Sequence, residues 1–214
     1  MPRNLTQPVC LNGRGRLAAA ILFCVAVTAC PAAARQVTEE QTVLVYDAAQ
    51  VAPEVLLKAR NDVVRIFREA GIQLRWLNCL PSPGECPEVL DHTMLVLRIA
   101  ADRGALDDGE STGLAVLAPE GEVRFYVFYD AVERIATPDV KAPVILAHAI
   151  AHEIGHLLLR LRGHTPTGLM HGRWGAQELH KAVMGSLVFS PEQAAKMRAE
   201  VQRRADASQT AKAL

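Results

Sequence analysis

Two histidines and a glutamate stand in a pattern that can hold a metal ion and activate water. The sequence reads His152-Glu153-Ile154-Gly155-His156 inside a long apolar stretch. Residues four apart on a helix share one face, so both imidazoles can converge on a single ion. Glu153 can reach a metal-held water, and a carboxylate beside such a water is the apparatus of amide hydrolysis. Because so short a match also occurs by chance, the residues that follow it matter.

Those residues supply a candidate third ligand and a turn. His164 stands eight positions after His156, and Met170 follows six positions later. Here the chain resembles the metzincin metallopeptidases, in particular the matrixin-like layout, in which a third histidine precedes a tight turn with a methionine beneath the metal. The resemblance implies zinc ligands at His152, His156 and His164. It also implies a general base at Glu153 and an apolar floor at Met170.

The spacing to the third histidine departs from the family pattern H-E-x-x-H-x-x-G-x-x-H. Leu159 stands at the glycine position and Arg162 at the ligand position. Gly163 and His164 come two residues late. A continuous helix would carry His164 about 12 Å along its axis from His156, out of reach of a shared ion. We therefore expect the helix to end between about Leu159 and Gly163, with Gly163 as a left-handed stop that turns the chain back.

Apolar patterning predicts the elements that must position this site. Strand-like runs lie at 42–46, 72–76, 93–100, 113–118 and 123–129, and a helix-like run lies at 53–70. Ser190 and Pro191 begin a last helix, expected to fray from about Ala205. The predicted fold class is α+β. The order resembles the compact metzincin domain, which implies a twisted mixed sheet packed on two helices, with 113–118 as an antiparallel edge strand that binds extended substrate.

The N-terminus has the layout of an export signal. Basic residues precede an apolar run, Leu17 to Ala29, that is short for a membrane span, and small residues follow it. We interpret residues 1–34 as a signal peptide and residues 35–214 as a single metallopeptidase domain. The residues before Cys30 also resemble a lipobox, in which case Cys30 would carry a lipid anchor. The expected mature protein is a secreted or periplasmic monomer without a transmembrane segment.

The charge balance indicates the class of substrate, and the cysteines predict a disulfide. The chain holds 23 basic and 23 acidic residues. Removing residues 1–34 takes away three arginines and no acid, leaving 20 against 23, or about −3. That balance offers no basic excess for nucleic acid, so peptide or protein substrates are expected. Cys79 and Cys86 flank a proline-rich loop, and in an exported protein they predict one disulfide.

The predicted function is zinc-dependent endopeptidase activity, with Glu153 moving the proton of the attacking water to the leaving amine. One alternative is a gluzincin-type peptidase whose third ligand is Glu178. Another is a secreted, zinc-stabilised binding protein without turnover, although such a site has no need of a base. His148 could be a further ligand or a core residue, and His171 or Arg173 could line the cleft.

Overall fold

The computed structural model describes residues 39–212 apart from 80–85, 88–89, 92, 105–110 and 118–122. The strands are β1 (Glu39–Asp47), β2 (Ile72–Asn78), β3 (Met94–Ala100), β4 (Gly113–Leu117) and β5 (Val123–Phe128). The helices are α1 (Pro53–Glu69), α2 (Tyr129–Ile135), α3 (Ala142–Leu159), α4 (Ala176–Val183) and α5 (Pro191–Lys212). The proposed signal and Cys30 lie outside the described residues, so both stay predictions.

The five strands form one mixed sheet in the order β2-β1-β3-β5-β4. The first four strands in that order run parallel to one another. β4 runs antiparallel to β5 and lies at the edge. The antiparallel edge strand expected at 113–118 is therefore present, at the end of the sheet that also contacts α3.

The core lies between one face of this sheet and helices α1 and α3. Alternate strand residues face the helices, because successive side chains of a strand point to opposite faces. α1 contributes Ala59, Val63, Ile66 and Phe67, whose spacing of three and four places them on one side of a helix. The amphipathic pattern read from the sequence therefore packs α1 onto the sheet and fixes the position of α3 beside it.

α3 is the central helix of the molecule. Pro143 stands in its first turn, where a missing N–H costs no hydrogen bond. Nearly every residue from Ile145 to Leu158 is buried. By length and composition α3 would suffice to cross a membrane, but 72% of it is buried inside the fold, as expected of a core helix. The residues that carry the candidate chemistry thus sit on a rigid, well-packed element.

The C-terminal part of the chain differs from expectation in three places. α2 and α4 are short helices that the patterning did not predict. The expected fraying from about Ala205 is wrong, because α5 continues to Lys212. Its later turns are anchored: Ser208 is buried, and its hydroxyl donates to Asp91 Oδ2 at 3.3 Å. One turn earlier, Arg204 pairs with Glu200 at 2.9 Å and donates to the Leu157 carbonyl of α3.

The start of α5 is the one predicted from Ser190 and Pro191. The Gln193 N–H donates to Ser190 Oγ at 3.2 Å, and the Ser190 N–H donates to Gln193 Oε1 at 2.9 Å. This reciprocal pair satisfies two backbone donors that would otherwise lack partners at a helix start.

A disulfide joins Cys79 to Cys86, with a Cα–Cα distance of 5.6 Å. Cys79 is buried with Leu44 and Val96 on the sheet face opposite the helices. The bond holds Cys86 against that face.

Candidate metal centre

The active-site candidates of α3 lie in its last two turns. The helix ends at Leu159, and the next residue, Arg160, adopts a left-handed conformation with φ 51°. The Leu161 N–H then donates to the His156 carbonyl at 3.0 Å. The helix therefore ends within the expected range. The expectation of a left-handed Gly163 is wrong, because the reversal takes place at Arg160 and no positive φ occurs at Gly163.

This reversal brings His164 back to the helix. The ligand-type ring nitrogens of His152, His156 and His164 lie within 4.8 Å of one another. The ring of His164 stacks on that of His152 with centroids 5.2 Å apart, and it meets the ring of His156 edge-on at 5.0 Å. The three histidines named from the sequence thus form one cluster.

Backbone carbonyls set the orientation of two of these rings. Nδ1–H of His152 donates to the Leu169 carbonyl at 2.7 Å, and Nδ1–H of His156 donates to the Leu161 carbonyl at 2.7 Å. With Nδ1 protonated, each neutral ring keeps its lone pair on Nε2. A hydrogen bond at the far nitrogen is the usual way in which proteins orient a metal-binding histidine.

The resulting donor set fits a cation. The Nε2 atoms of His152 and His156 are 3.0 Å apart. Two lone pairs at that distance repel unless a proton or a metal ion lies between them. Burial lowers the pKa of both rings, that of His152 to about 4, with smaller contributions from neighbouring histidines. Protonation is thereby disfavoured near neutral pH, and a metal held by neutral imidazoles is the arrangement that the residues fit.

Met170 lies beneath the cluster in a tight turn. Gly168 adopts φ +82°, and the His171 N–H donates to the Gly168 carbonyl at 3.1 Å. Met170 is fully buried. A Cβ added at Gly155 would come within 2.4 Å of the Met170 Sδ, so only glycine at that helix position lets the methionine approach. The structure places Met170 in a turn against α3, where Gly155 makes room for its side chain, and its role as a floor beneath a metal stays a prediction.

Trp174 strengthens the same turn. Its indole N–H donates to the Leu169 carbonyl at 3.3 Å, the oxygen that also accepts from His152. Its ring meets the ring of His152 edge-on, with centroids 5.8 Å apart. The Leu169 carbonyl therefore accepts hydrogen bonds from both the Trp174 indole and the candidate ligand His152.

Glu153 is buried beside the edge strand. Burial raises the pKa of its carboxyl group to about 8. A Cβ added at Gly113, the first residue of β4, would lie 2.6 Å from both Cγ and Oε1 of Glu153. Gly113 thus creates the space that the glutamate side chain occupies. Glu153 follows His152 directly on α3, and its side chain lies against the start of β4.

The other candidate side chains named from the sequence, two as ligands and His171 as a cleft residue, lie outside the cluster. Glu178 Oε2 accepts from the Gly175 N–H at 3.0 Å, at the start of its own helix, and this bond is the main reason its pKa lies below the usual value. Nδ1–H of His148 donates to the Val144 carbonyl at 2.7 Å. His171 lies 4.0 Å from Glu178 across Nδ1 and Oε1. Among the described residues, the metal-ligand group contains none of these three side chains.

Several residues of this site were missed at the sequence level. Leu161 and Leu169 act through backbone carbonyls, which carry no residue-specific signal. Gly113 and Gly172 act through the space they leave: a Cβ at Gly172 would lie 2.8 Å from the ring of His164. Gly155, inside the motif itself, had a signal that could have been used, because glycine in a buried helix indicates a close neighbour.

The fold of this chain has a counterpart among solved structures. The crystal structure of archaemetzincin from Methanopyrus kandleri shares this fold, with a TM-score of 0.50 and 15% sequence identity. The match covers 77% of the present chain and 97% of that chain. No protein-family model matches the sequence, and no curated protein matches it either. The similarity therefore concerns the fold.

Proposed function

We propose that this protein is an exported zinc-dependent endopeptidase with a variant, matrixin-like site. The observation that carries the proposal is the cluster of three imidazoles whose ring nitrogens lie within 4.8 Å, with buried Glu153 on the helix that carries two of them. Three histidines with an open fourth position are typical of catalytic zinc, whereas structural zinc takes four protein ligands. The fold shared with archaemetzincin supports the same assignment.

His152, His156 and His164 would hold the zinc. Zinc bound in this way lowers the pKa of a coordinated water and polarises a carbonyl group. The carbonyls of Leu169 and Leu161 keep two of the ligand rings in the tautomer that binds.

Glu153 is the proton carrier of the proposed mechanism. Its raised pKa belongs to the metal-free site, and the charge of a nearby dication favours the carboxylate form. As a carboxylate it accepts a proton from the attacking water, and as a carboxylic acid it then donates that proton to the leaving amine. Burial of Glu153 keeps bulk water from competing for that proton.

β4 is the proposed binding edge for substrate. It is an edge strand, and its first residue, Gly113, lies against Glu153. An extended peptide that adds to this edge by backbone hydrogen bonds would pass directly over the carboxylate.

The test is a peptide-library digest with the purified mature chain. Cleavage is expected with zinc, is lost on chelation and returns when zinc is added back. Glu153→Gln is the matched control: it should bind zinc with the parental stoichiometry and cleave about 10²–10⁴-fold more slowly. Cleavage that survives both chelation and Glu153→Gln would contradict the proposal. Zinc binding without any cleavage would favour the non-catalytic binding protein instead.

A further inference from the structure

A turn at the end of β3 places one arginine against the sheet. Asp102 Oδ1 accepts from the Gly104 N–H at 2.9 Å, and Gly104 adopts a left-handed φ of 52°, so the chain turns within residues 102–104. Asp102 and Gly104 are exposed, whereas Arg103 between them is half-buried. The turn therefore holds the Arg103 side chain against the protein.

Arg103 contacts the segment that leads into β4 and the end of β5. Its Nη2 donates to the carbonyl of Ser111, two residues before β4 begins. Its guanidinium carbon lies 5.6 Å from the centroid of the Phe128 ring, a distance at which a cation and an aromatic face attract each other. The Phe128 N–H in turn donates to the Thr112 carbonyl at 2.9 Å. Arg103 therefore reinforces an existing contact between residues 111–113 and the end of β5.

The segment that Arg103 binds is also the one that packs on Glu153. Ser111 Oγ donates to the Gly113 carbonyl at 3.0 Å, which ties the two ends of residues 111–113 together. Gly113 is buried, and a Cβ added to it would lie 2.6 Å from both Cγ and Oε1 of Glu153. Any movement of this segment therefore changes the space in which the Glu153 carboxyl group lies.

The position of β4 in the sheet explains why such a restraint matters. β4 is an edge strand that pairs with β5 alone, whereas a strand inside the sheet is held from both sides. A hydrogen bond from a charged donor is stronger than one between neutral groups. Arg103 thus adds its hydrogen bond and its ring contact beside the strand that has fewest backbone partners in the sheet.

We propose that Arg103 is a positioning residue of the candidate site, which holds the start of β4 against Glu153 and so fixes where that carboxyl group lies. It acts through Ser111 and Gly113 and takes no part in the chemical steps. This inference rests on the proposed function, because the group that it positions is the proton carrier proposed there.

The first measurement needs no substrate. Hydrogen exchange of the Phe128 amide, followed by NMR in the zinc-loaded protein, reports whether its bond to Thr112 stays closed. Arg103→Ala should speed this exchange about threefold to tenfold, a moderate effect because the hydrogen bond to Ser111 is exposed. The amide of Ile66, in the core helix α1, should keep its parental rate. Arg103→Lys, which retains the charge without the planar group, should give a smaller increase.

The chain offers a matched control on the same sheet. Arg98 of β3 is also an arginine over an aromatic ring, 5.8 Å from the centroid of Tyr46. Arg98→Ala therefore removes the same side chain and the same kind of ring contact. It should leave both the exchange of the Phe128 amide and the turnover at their parental values.

The second measurement is peptide turnover. Arg103→Ala should lower kcat about tenfold with unchanged zinc stoichiometry, because a displaced proton carrier reacts more slowly. Arg103→Lys should lie between this variant and the parental chain. Since Arg103 and Gly113 are proposed to act on the same carboxyl group, Arg103→Ala combined with Gly113→Ala should lower kcat by less than the product of the two separate effects.

The outcomes separate this inference from the proposed function. Parental exchange at Phe128 in Arg103→Ala, or an equal increase at Ile66, would overturn the inference. Faster exchange with the parental kcat, or effects of Arg103→Ala and Gly113→Ala that simply multiply, would overturn it as well. Faster exchange at Phe128 alone, in a protein whose parental form cleaves no peptide, would count against the proposed function and support the restraint by Arg103.

Discussion

The Nδ1–H groups of His152 and His156 each donate to a backbone carbonyl, and this choice of partner has chemical consequences. A carbonyl can only accept, so it fixes the protonated nitrogen without any dependence on pH. The carbonyls belong to Leu169 and Leu161, which lie in the turn beneath the cluster and in the reversal after α3. The ligand geometry therefore depends on how those two segments fold, and an alteration there will act on the metal centre without touching a ligand.

Replacing each candidate third ligand tests which of them holds the metal. His164→Ala is expected to lose bound zinc, because it removes one of three clustered donors. Glu178→Ala is expected to keep zinc and to lose only some stability, because Glu178 serves the start of α4. Zinc stoichiometry at matched circular dichroism is the measurement. Zinc loss in Glu178→Ala alone would transfer the protein to the gluzincin-type alternative.

Gly113→Ala is expected to reduce turnover without unfolding the protein. The new Cβ would lie 2.6 Å from Oε1 of Glu153, so the carboxyl group must move, and a displacement of about 1 Å can cost up to 10²-fold in rate. The fall should appear in kcat, with zinc stoichiometry unchanged. Leu114→Ala, the next position of β4, is the control that should keep the parental kcat. An unchanged kcat in Gly113→Ala would show that the position of Glu153 is not critical.

At the scale of elements, the decisive event is the end of α3. The family pattern places a glycine there, and this chain has Leu159 followed by Arg160. Sequence reasoning located the end of the helix but assigned the left-handed residue to Gly163, because glycine is the usual residue in that conformation. The chain instead places the left-handed residue at Arg160, one position later than the family's glycine, and the second extra residue lies between Arg160 and His164.

Two substitutions distinguish these positions. Arg160→Gly is expected to raise the free energy of unfolding by up to about 1 kcal/mol, because it relieves a left-handed non-glycine residue. Gly163→Ala is expected to be nearly neutral, since its φ is not positive and no heavy atom lies within 4 Å of the added Cβ. Thermal unfolding of both variants checks this. Marked destabilisation by Gly163→Ala would restore the original expectation.

Other elements show where patterning works and where it fails. The strands and α1 could be predicted because their buried faces repeat at regular spacing. α4 could not, because its eight residues bury only Glu178 and Ala182. The end of α5 was mistaken for a frayed end because its residues are polar. Glu200 and Arg204 neutralise each other at 2.9 Å and so can be buried together, a pairing that no single-residue hydropathy reveals.

At the scale of the whole molecule, the buried histidines make stability depend on pH. Burial places the folded-state pKa values of His148, His152 and His156 below 6.5. Below pH 6.5 the unfolded chain therefore binds more protons, so this stability is present above that pH and is lost as the pH falls toward 4. Glu153, with a pKa of about 8, acts in the opposite sense between pH 4.5 and 8.

Because the histidines and Glu153 act in opposite senses, single substitutions separate their contributions. In the metal-free protein, Glu153→Gln should make the loss of unfolding free energy between pH 7 and pH 5 greater than in the parental chain, and His148→Leu should make it smaller. Urea unfolding at the two pH values measures both differences. A Glu153→Gln variant with the parental pH dependence would contradict this account.

The strands and the central helix could be predicted from the sequence for a physical reason. An antiparallel edge strand, a parallel sheet and a central buried helix leave alternating, helical and continuous apolar patterns, and each of these is visible in a sequence. The close contacts around the histidine cluster are not visible in a sequence. Gly155 against Met170 and Gly172 against His164 depend on distances between segments, which a linear pattern does not contain.

The carbonyl of Leu169, shared by His152 and Trp174, makes the centre optically observable. Trp174 and Trp76 are the two tryptophans of the chain, and Trp76 donates its indole N–H to Asn78 instead. A copper or cobalt ion bound at His152 should therefore quench the fluorescence of Trp174. Trp76→Phe should retain the quenching, and Trp174→Phe should remove it. Occupancy of the centre could then be followed in real time and without a substrate.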